Sequence, residues 1–102
     1  MKIRNYTLTE EQAAQARGIY LPGAEGGTDL LEFVDRYDER PNPMIKYRVK
    51  GIPMSAVQVT LSPDRPLIEH IDLRGEEADI EKIVDAVDND FGVQLAFAIP
   101  RP

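Results

Sequence analysis

The chain has 102 residues, which suits one domain with an ordinary hydrophobic core, and we expect residues 1–102 to form a single domain. It contains no cysteine, so disulfides and thiolate chemistry are excluded. Its net charge of −6 disfavours direct nucleic-acid binding, because affinity for phosphates comes largely from clustered lysine and arginine. No apolar run has the length of a signal peptide or a membrane span, which predicts a soluble, cytoplasmic protein.

The excess negative charge lies on one segment of the chain. Between Gly75 and Gly92 there are seven acidic residues and one basic residue, whereas the rest of the chain has eleven of each. Recognition of an anionic ligand would therefore depend on a local basic patch.

The sequence around residue 10 predicts a first helix. Thr9 and Gln12 have the spacing of a capping box, in which each side chain satisfies a free backbone N–H at the helix start. The helix is expected to end near Gly18. Between Gly18 and Thr28, four glycines and a proline predict a loop.

Residues 29–39 predict a second helix, which begins at Asp29. Their apolar side chains fall at helical spacing: Leu30, Phe33, Val34 and Tyr37. However, Leu31, Phe33 and Tyr37 also fit an alternating strand, so the pattern leaves both interpretations of this segment open.

From Met44 onward the apolar period changes to two, which is typical of half-buried strands. Three segments show this alternation: MIKYRVK (44–50), SAVQVTLS (55–62) and LIEHIDLR (67–74). The segments are separated by GIPM and SPDRP, whose prolines favour turns. We therefore expect a three-stranded antiparallel meander.

An acidic amphipathic helix is expected after the meander. Its apolar side chains repeat at helical spacing: Ile80, Ile83, Val84, Val87 and Phe91. Gly92 is expected to end it. Near its carboxyl end, Asp85, Asp88 and Asp90 lie on the solvated side and oppose the helix dipole.

The last element is predicted to be a strand. In VQLAFAI (93–99) the larger apolar residues alternate and are expected to face inward: Val93, Leu95, Phe97 and Ile99. The sequence thus predicts an α+β fold, with two N-terminal helices, a three-stranded antiparallel meander, an acidic amphipathic helix and a final strand joining the sheet.

The residues that could support catalysis or metal binding form a weak pattern. His70, Asp72 and Arg74 share one strand face, and a histidine oriented by a carboxylate can act as a general base. Alternate residues of a strand lie roughly 6.5 to 7 Å apart, which is too far for direct contact. One histidine and no cysteine exclude the usual zinc ligand sets. We expect no catalytic residue, no metal and no cofactor.

Two charged surfaces are the candidate partner-binding sites. A basic stripe on the exposed sheet face would suit an acidic partner and comprises Lys46, Arg48, Lys50 and Arg74. An acidic surface on the helix would suit a basic partner and comprises Glu77, Glu81, Asp85 and Asp88.

These surfaces favour a small acidic, non-enzymatic binding module that engages a protein partner through charge, such as an inhibitor, an immunity-type protein or a regulatory protein. One alternative is a self-associating subunit, in which the edge strand Leu95–Ile99 pairs across a two-fold axis to form a homodimer. A further alternative is a small enzyme centred on His70.

Overall fold

A computed structural model describes residues 1–17 and 28–102, which form an α+β fold. The strands are β1 (Lys2–Thr7), β2 (Leu31–Tyr37), β3 (Met44–Val49), β4 (Ala56–Leu61), β5 (Ile68–Gly75) and β6 (Ile99–Arg101). The helices are α1 (Glu10–Gln15) and α2 (Ile80–Phe91). All six strands belong to one antiparallel sheet, in the order β2-β3-β4-β5-β1-β6.

One face of the sheet carries the hydrophobic core, and we call it the covered face. Its side chains alternate with polar ones along the three middle strands, and the buried members are Ile45, Tyr47, Val49, Val57, Val59, Leu61, Ile71 and Leu73. Helix α2 packs on this face with Ile83, Val87 and Phe91 fully buried. The Tyr47 and Phe91 rings meet edge to face, with centroids 5.8 Å apart. Burying each such side chain contributes roughly 1.5 to 3 kcal/mol, so this contact holds helix to sheet.

Helix α1 confirms the predicted capping box. Thr9 Oγ1 accepts a hydrogen bond from the Gln12 backbone N–H at 3.1 Å, and the Thr9 N–H donates to Gln12 Oε1 at 3.2 Å. The helix buries Ala13 and is followed by the buried Ala16. The predicted end at Gly18 and the predicted loop after it lie largely outside the described residues.

The predicted second helix is wrong, because this segment is strand β2. It pairs with β3 so that Leu31 lies opposite Val49 and Phe33 opposite Tyr47. A β-bulge after Phe33 adds one residue, Val34, before pairing resumes at Asp35. The bulge interrupts the two-residue apolar period, which is why the sequence also resembles a helical stripe.

Strand β1 was not predicted, although it lies inside the sheet between β5 and β6. Only Tyr6 of this strand is buried, and its partners in register are polar at several positions. Backbone pairing with β5 along its whole length compensates for the weak apolar pattern, since Lys2 lies opposite Gly75 and Thr7 opposite His70.

The three predicted middle strands are present as β3, β4 and β5, but they form the centre of a six-stranded sheet and not a three-stranded one. The predicted amphipathic helix is also present, and Gly92 ends it in the left-handed conformation with φ of 67°. Gly75 lies directly under α2, close to the Ile83 side chain.

The predicted last strand is largely wrong. Residues Leu95–Phe97 form a 3₁₀ turn, and only Ile99–Arg101 pair with β1. The backbone N–H of Phe97 donates to Gln94 O at 2.9 Å and that of Ala98 donates to Leu95 O at 3.1 Å, so the turn satisfies these groups locally. Leu95 is buried as expected, whereas Phe97 and Ile99 are exposed.

Candidate binding faces

The face of the sheet opposite α2, here called the open face, carries aligned rows of mainly polar side chains. Cross-strand register places directly opposed residues on the same face. The middle row runs across all six strands: Asp35, Lys46, Gln58, Asp72, Asn5 and Arg101. A second row runs parallel to it: Tyr37, Met44, Thr60, His70, Thr7 and Ile99. The open face is therefore a continuous surface built from every strand.

One end of the middle row is a fixed polar cluster. Arg101 forms an ion pair with Asp72 two strands away, across β1. Asn5 Nδ2 lies 2.9 Å from the same Asp72 oxygen, in the amide orientation that satisfies both partners. The Asp72 carboxylate is thereby neutralised by a guanidinium and oriented by an amide.

The predicted basic stripe is present in part. Lys46 and Arg48 extend from β3 onto the open face, and Arg74 extends from β5. Within residues 1–17 and 28–102, none of these three cations forms an ion pair. They are therefore available to an anionic partner.

Lys50 does not belong to this stripe. It follows the end of β3 in a turn and its ammonium donates to the backbone oxygen of Thr28 at 3.0 Å. Together with Lys82 and Asp85 of α2 it borders a hollow on the covered side of the molecule. The turn after Val49 reverses the chain, so the strand alternation on which the prediction rested ends before Lys50.

Acidic residues of β2 flank the basic stripe, and the sequence did not predict their position there. Glu32 lies opposite Arg48, and Asp35 lies opposite Lys46. Because residues 29–39 were predicted as a helix, these acids were not assigned to the sheet. The open face is thus of mixed charge, with cations on β3 and anions on the neighbouring edge strand.

Three of the four members of the predicted acidic surface are exposed: Glu77, in the 3₁₀ turn Glu77–Asp79 that precedes α2, and Glu81 and Asp85 of α2. The Glu81 side chain is 71% exposed and forms a surface ion pair with Arg4 of β1 at 2.8 Å. The tyrosine hydroxyl of Tyr6 and this carboxylate together raise the pKa of Arg4. Lys82 lies among these acids on the same helix.

Asp88 is a structural residue rather than a free surface acid. It is half-buried, and its Oδ1 accepts the backbone N–H of Leu95 at 3.0 Å. Burial raises the pKa of the Asp88 carboxyl above its ordinary value of 3.8, the Leu95 hydrogen bond lowers it, and the nearby Asp85 raises it further. Asp88 fixes the turn that follows α2.

Asp90 was predicted to be solvated, and this is wrong. Its side chain is buried, and Oδ2 accepts hydrogen bonds from Thr28 Oγ1, from the Leu30 N–H at 2.8 Å and from the Leu31 N–H at 3.0 Å. Asp90 therefore joins the end of α2 to the start of β2. The sequence spacing does indicate the burial of Asp90, because position 90 is seven residues after the buried Ile83 and falls on the same face of the helix.

His70 is half-buried on the open face, where its Nδ1 lies 3.1 Å from Thr7 Oγ1. The neighbouring acid on its own strand face, Asp72, is paired with Arg101. Across the described ranges, no group of three or more histidine, aspartate or glutamate side chains is arranged to hold a metal ion.

Neither α1 nor α2 has the length and apolar character required to cross a membrane. No known protein family matches the chain, and no curated protein or solved structure is significantly similar to it.

Proposed function

We propose that the protein is a small non-enzymatic binding module, of the inhibitor, immunity or regulatory type, that engages a protein partner with the open face of its sheet. The observation that carries this proposal is the composition of the open face. It exposes 53% of Ile3 beside the middle row and 55% of Ile99 and 39% of Tyr37 at the two ends of the second row. Exposed apolar side chains set among polar groups that can pair are compatible with the mixed composition of protein–protein interfaces. A cytoplasmic location is part of the same proposal.

The size of the open face supports this choice. Five inter-strand spacings give a width of about 24 Å, and strands of this length extend about 20 Å, so the planar area is on the order of 500 Å² before side-chain relief is counted. Transient protein complexes bury areas of this order on each partner. No helix lies over the open face in the part of the chain that the structure describes.

The acidic surface of α2 gives weaker support for a binding role. Two of its four predicted members already have partners, since Glu81 pairs with Arg4 and Asp88 accepts from Leu95. Glu77, Glu81 and Asp85 are exposed. An isolated exposed charge contributes little to affinity, so this surface has less to offer a basic partner.

The edge strands give little support for self-association by sheet extension. Strand β6 has three residues, and the central one, Pro100, has no backbone N–H to donate. The opposite edge strand, β2, is interrupted by the bulge at Val34. Short strands, proline and bulges all hinder pairing between sheet edges.

Affinity capture from a lysate of the source cells tests the proposal, with three proteins used as bait. The first is the wild type. The second, the open-face variant, carries Lys46→Gln, Arg48→Gln and Arg74→Gln. The third, a control with the same change in net charge, carries Arg40→Gln, Arg65→Gln and Lys82→Gln at exposed positions outside the strands of the sheet. Circular dichroism and urea unfolding establish that all three are folded.

The expected result is a partner that the wild type and the control variant capture and that the open-face variant loses. Binding of that partner, once purified, should weaken at higher salt because charged contacts at an exposed interface are screened. Equal capture by all three baits would contradict the proposal, and so would a partner that only the control variant loses.

A further inference from the structure

The open face contains a shallow depression lined in part by Ala56, the first residue of β4. Its volume is about 390 Å³, and its walls include Lys46, Gln58, Arg74 and Ile3. Ala56 lies directly opposite Arg74 of β5. The register that pairs Tyr47 with Val57 also brings Arg48 beside Ala56 on the other side. The small alanine side chain thus leaves a space between longer cationic ones, which we call the Ala56 depression.

The charge around the Ala56 depression is positive, although the whole chain is negative. Lys46 and Arg74 line it and form no ion pair with any described residue. Asp72 also lines it, but its carboxylate is paired with Arg101. Asp35, opposite Lys46, directs one carboxylate oxygen to the backbone N–H of Arg36 at 2.8 Å. The one carboxylate among the described lining residues is therefore paired, whereas Lys46 and Arg74 are not, and Glu32 and Asp35 of β2 are not among the lining residues.

We infer that the Ala56 depression receives an aspartate or glutamate side chain of the protein partner, an inference that rests on the proposed function of the open face. Neighbouring strands lie about 4.8 Å apart and alternate residues of one strand about 6.8 Å apart, so the long side chains of Lys46 and Arg74, which both line the depression, can reach the same point within it. A carboxylate held there can accept charge-assisted hydrogen bonds from more than one of them.

A protein carboxylate fits this site better than the phosphates of a nucleic acid. Nucleic-acid affinity needs many clustered cations, whereas the described part of this face offers three cations without an ion pair, Lys46, Arg48 and Arg74, on a chain of net charge −6. None of the described residues that line the depression is aromatic, so none of them can stack on a base, and Tyr37 lies in another row at the sheet edge. The partner segment is therefore expected to be acidic and polypeptide in nature.

A peptide titration followed by NMR tests the inference directly. Uniformly ¹⁵N-labelled protein is titrated with a blocked peptide of glutamates, with a glutamine peptide of the same length, and with a short oligothymidylate as the nucleic-acid probe. The glutamate peptide is expected to shift the amide signals of Lys46, Ala56 and Arg74 in a saturable and salt-sensitive way. The glutamine peptide should leave them unchanged. Tighter binding of the oligothymidylate at the same amides would overturn the inference in favour of nucleic acid.

Two variants locate the binding on the depression. Ala56→Leu fills the space without removing a charge, and Arg74→Gln removes one cation without filling the space. Each is expected to weaken binding of the glutamate peptide roughly two- to fivefold, which is the effect typical of one exposed ion pair. Arg65→Gln, a cation elsewhere on the surface, serves as the matched control and should leave the affinity unchanged. Absence of shifts at the depression, or an equal effect of all three substitutions, would overturn the inference.

The two proposals can fail separately. If the open-face variant loses its partner but the glutamate peptide does not bind at the Ala56 depression, the inference fails and the proposed function stands. If the peptide binds there but partner capture does not depend on the open face, the proposed function fails and the depression remains a site for acidic peptides only.

Discussion

Lys46 and Tyr47 are neighbours in β3, yet they lie in opposite environments. Tyr47 points to the covered face and is completely buried between Phe33 and Phe91, whereas Lys46 points to the open face and stays half-exposed. The same contrast separates Val57 from Gln58 in β4. Side chains on the covered face stabilise the fold by close packing, and those on the open face remain available for contacts with another molecule. Stability and recognition are therefore assigned to different faces of one sheet.

The largest expected difference in stability between the two faces is measured by removing one aromatic ring from each. Phe91→Ala removes a fully buried ring that packs against Tyr47, so it should lower the free energy of unfolding by about 3 to 5 kcal/mol. Tyr37→Ala, on the open face, should lower it by less than about 1 kcal/mol. Urea unfolding followed by circular dichroism measures both. Similar losses from the two substitutions would contradict the division of roles between the faces.

Two carboxylates provide a second comparison. Asp90→Ala removes the acceptor for the Leu30 and Leu31 N–H groups and should lower the free energy of unfolding by roughly 2 to 3 kcal/mol, because buried donors lose their partner. Asp72→Ala removes the partly exposed pair with Arg101 together with the hydrogen bond from Asn5, and should cost about 1 kcal/mol. The urea unfolding curves of the two variants test this order.

Asp90→Asn serves as the control for shape at the buried site. The amide retains one oxygen that can accept a hydrogen bond but carries no charge. The free energy of unfolding of the Asp90→Asn variant should therefore fall between that of the wild type and that of Asp90→Ala. If Asp90→Ala lowered the free energy of unfolding no more than Asp72→Ala does, Asp90 would not hold β2 against α2.

A third comparison concerns how closely α2 lies on the covered face. A methyl group at position 75 would overlap the Ile83 side chain, so Gly75→Ala should lower the free energy of unfolding by about 1 to 2 kcal/mol. Ile83→Val removes the overlapping methyl and should reduce this loss in the double variant. A double-mutant cycle by urea unfolding measures the coupling between the two positions. Additive changes in the free energy of unfolding would show that α2 can move on the sheet and make room for a side chain at position 75.

The sequence predicts the elements whose apolar period is regular. The period of two in residues 44–74 and the helical stripe from Ile80 to Phe91 both correspond to observed elements. The capping box at Thr9 is also confirmed, because it depends on contacts within four residues. These features are local, so the sequence alone defines them.

The errors arise where distant contacts override the local pattern. The bulge at Val34 disrupts the alternation of β2, and pairing with β5 stabilises β1 although Tyr6 is its single buried residue. The same errors affect the prediction of the candidate site. The alternation correctly predicts Lys46, Arg48 and Arg74 on one face, but the acids of β2 opposite them depend on the β2–β3 register, which no local signal specifies.

The smallest expected change in the free energy of unfolding comes from removing the charge of Asp88, which is half-buried, unlike the exposed acids of the same segment. Because the folded protein raises the pKa of Asp88 above its ordinary value of 3.8, the folded state holds this proton more tightly than the unfolded state. The contribution of Asp88 to stability is therefore greatest at acidic pH and is lost as the pH rises through the raised pKa. Asp88→Asn removes the charge near the carboxyl end of α2 but keeps an oxygen for the Leu95 N–H, so it should raise the free energy of unfolding by about 0.5 kcal/mol at pH 7.

At pH 3 the wild-type carboxyl is already protonated, so the Asp88→Asn variant should have no advantage there. Glu77→Gln is the matched control in the 3₁₀ turn Glu77–Asp79 that leads into the amino end of α2, where a negative charge favours the helix dipole, and it should lower stability slightly at pH 7. Thermal unfolding of the three proteins at both pH values measures these differences. An Asp88→Asn variant that is less stable than the wild type at pH 7 would mean that the charged hydrogen bond to Leu95 outweighs the burial of the carboxylate, and that Asp88 stabilises the turn through its charge.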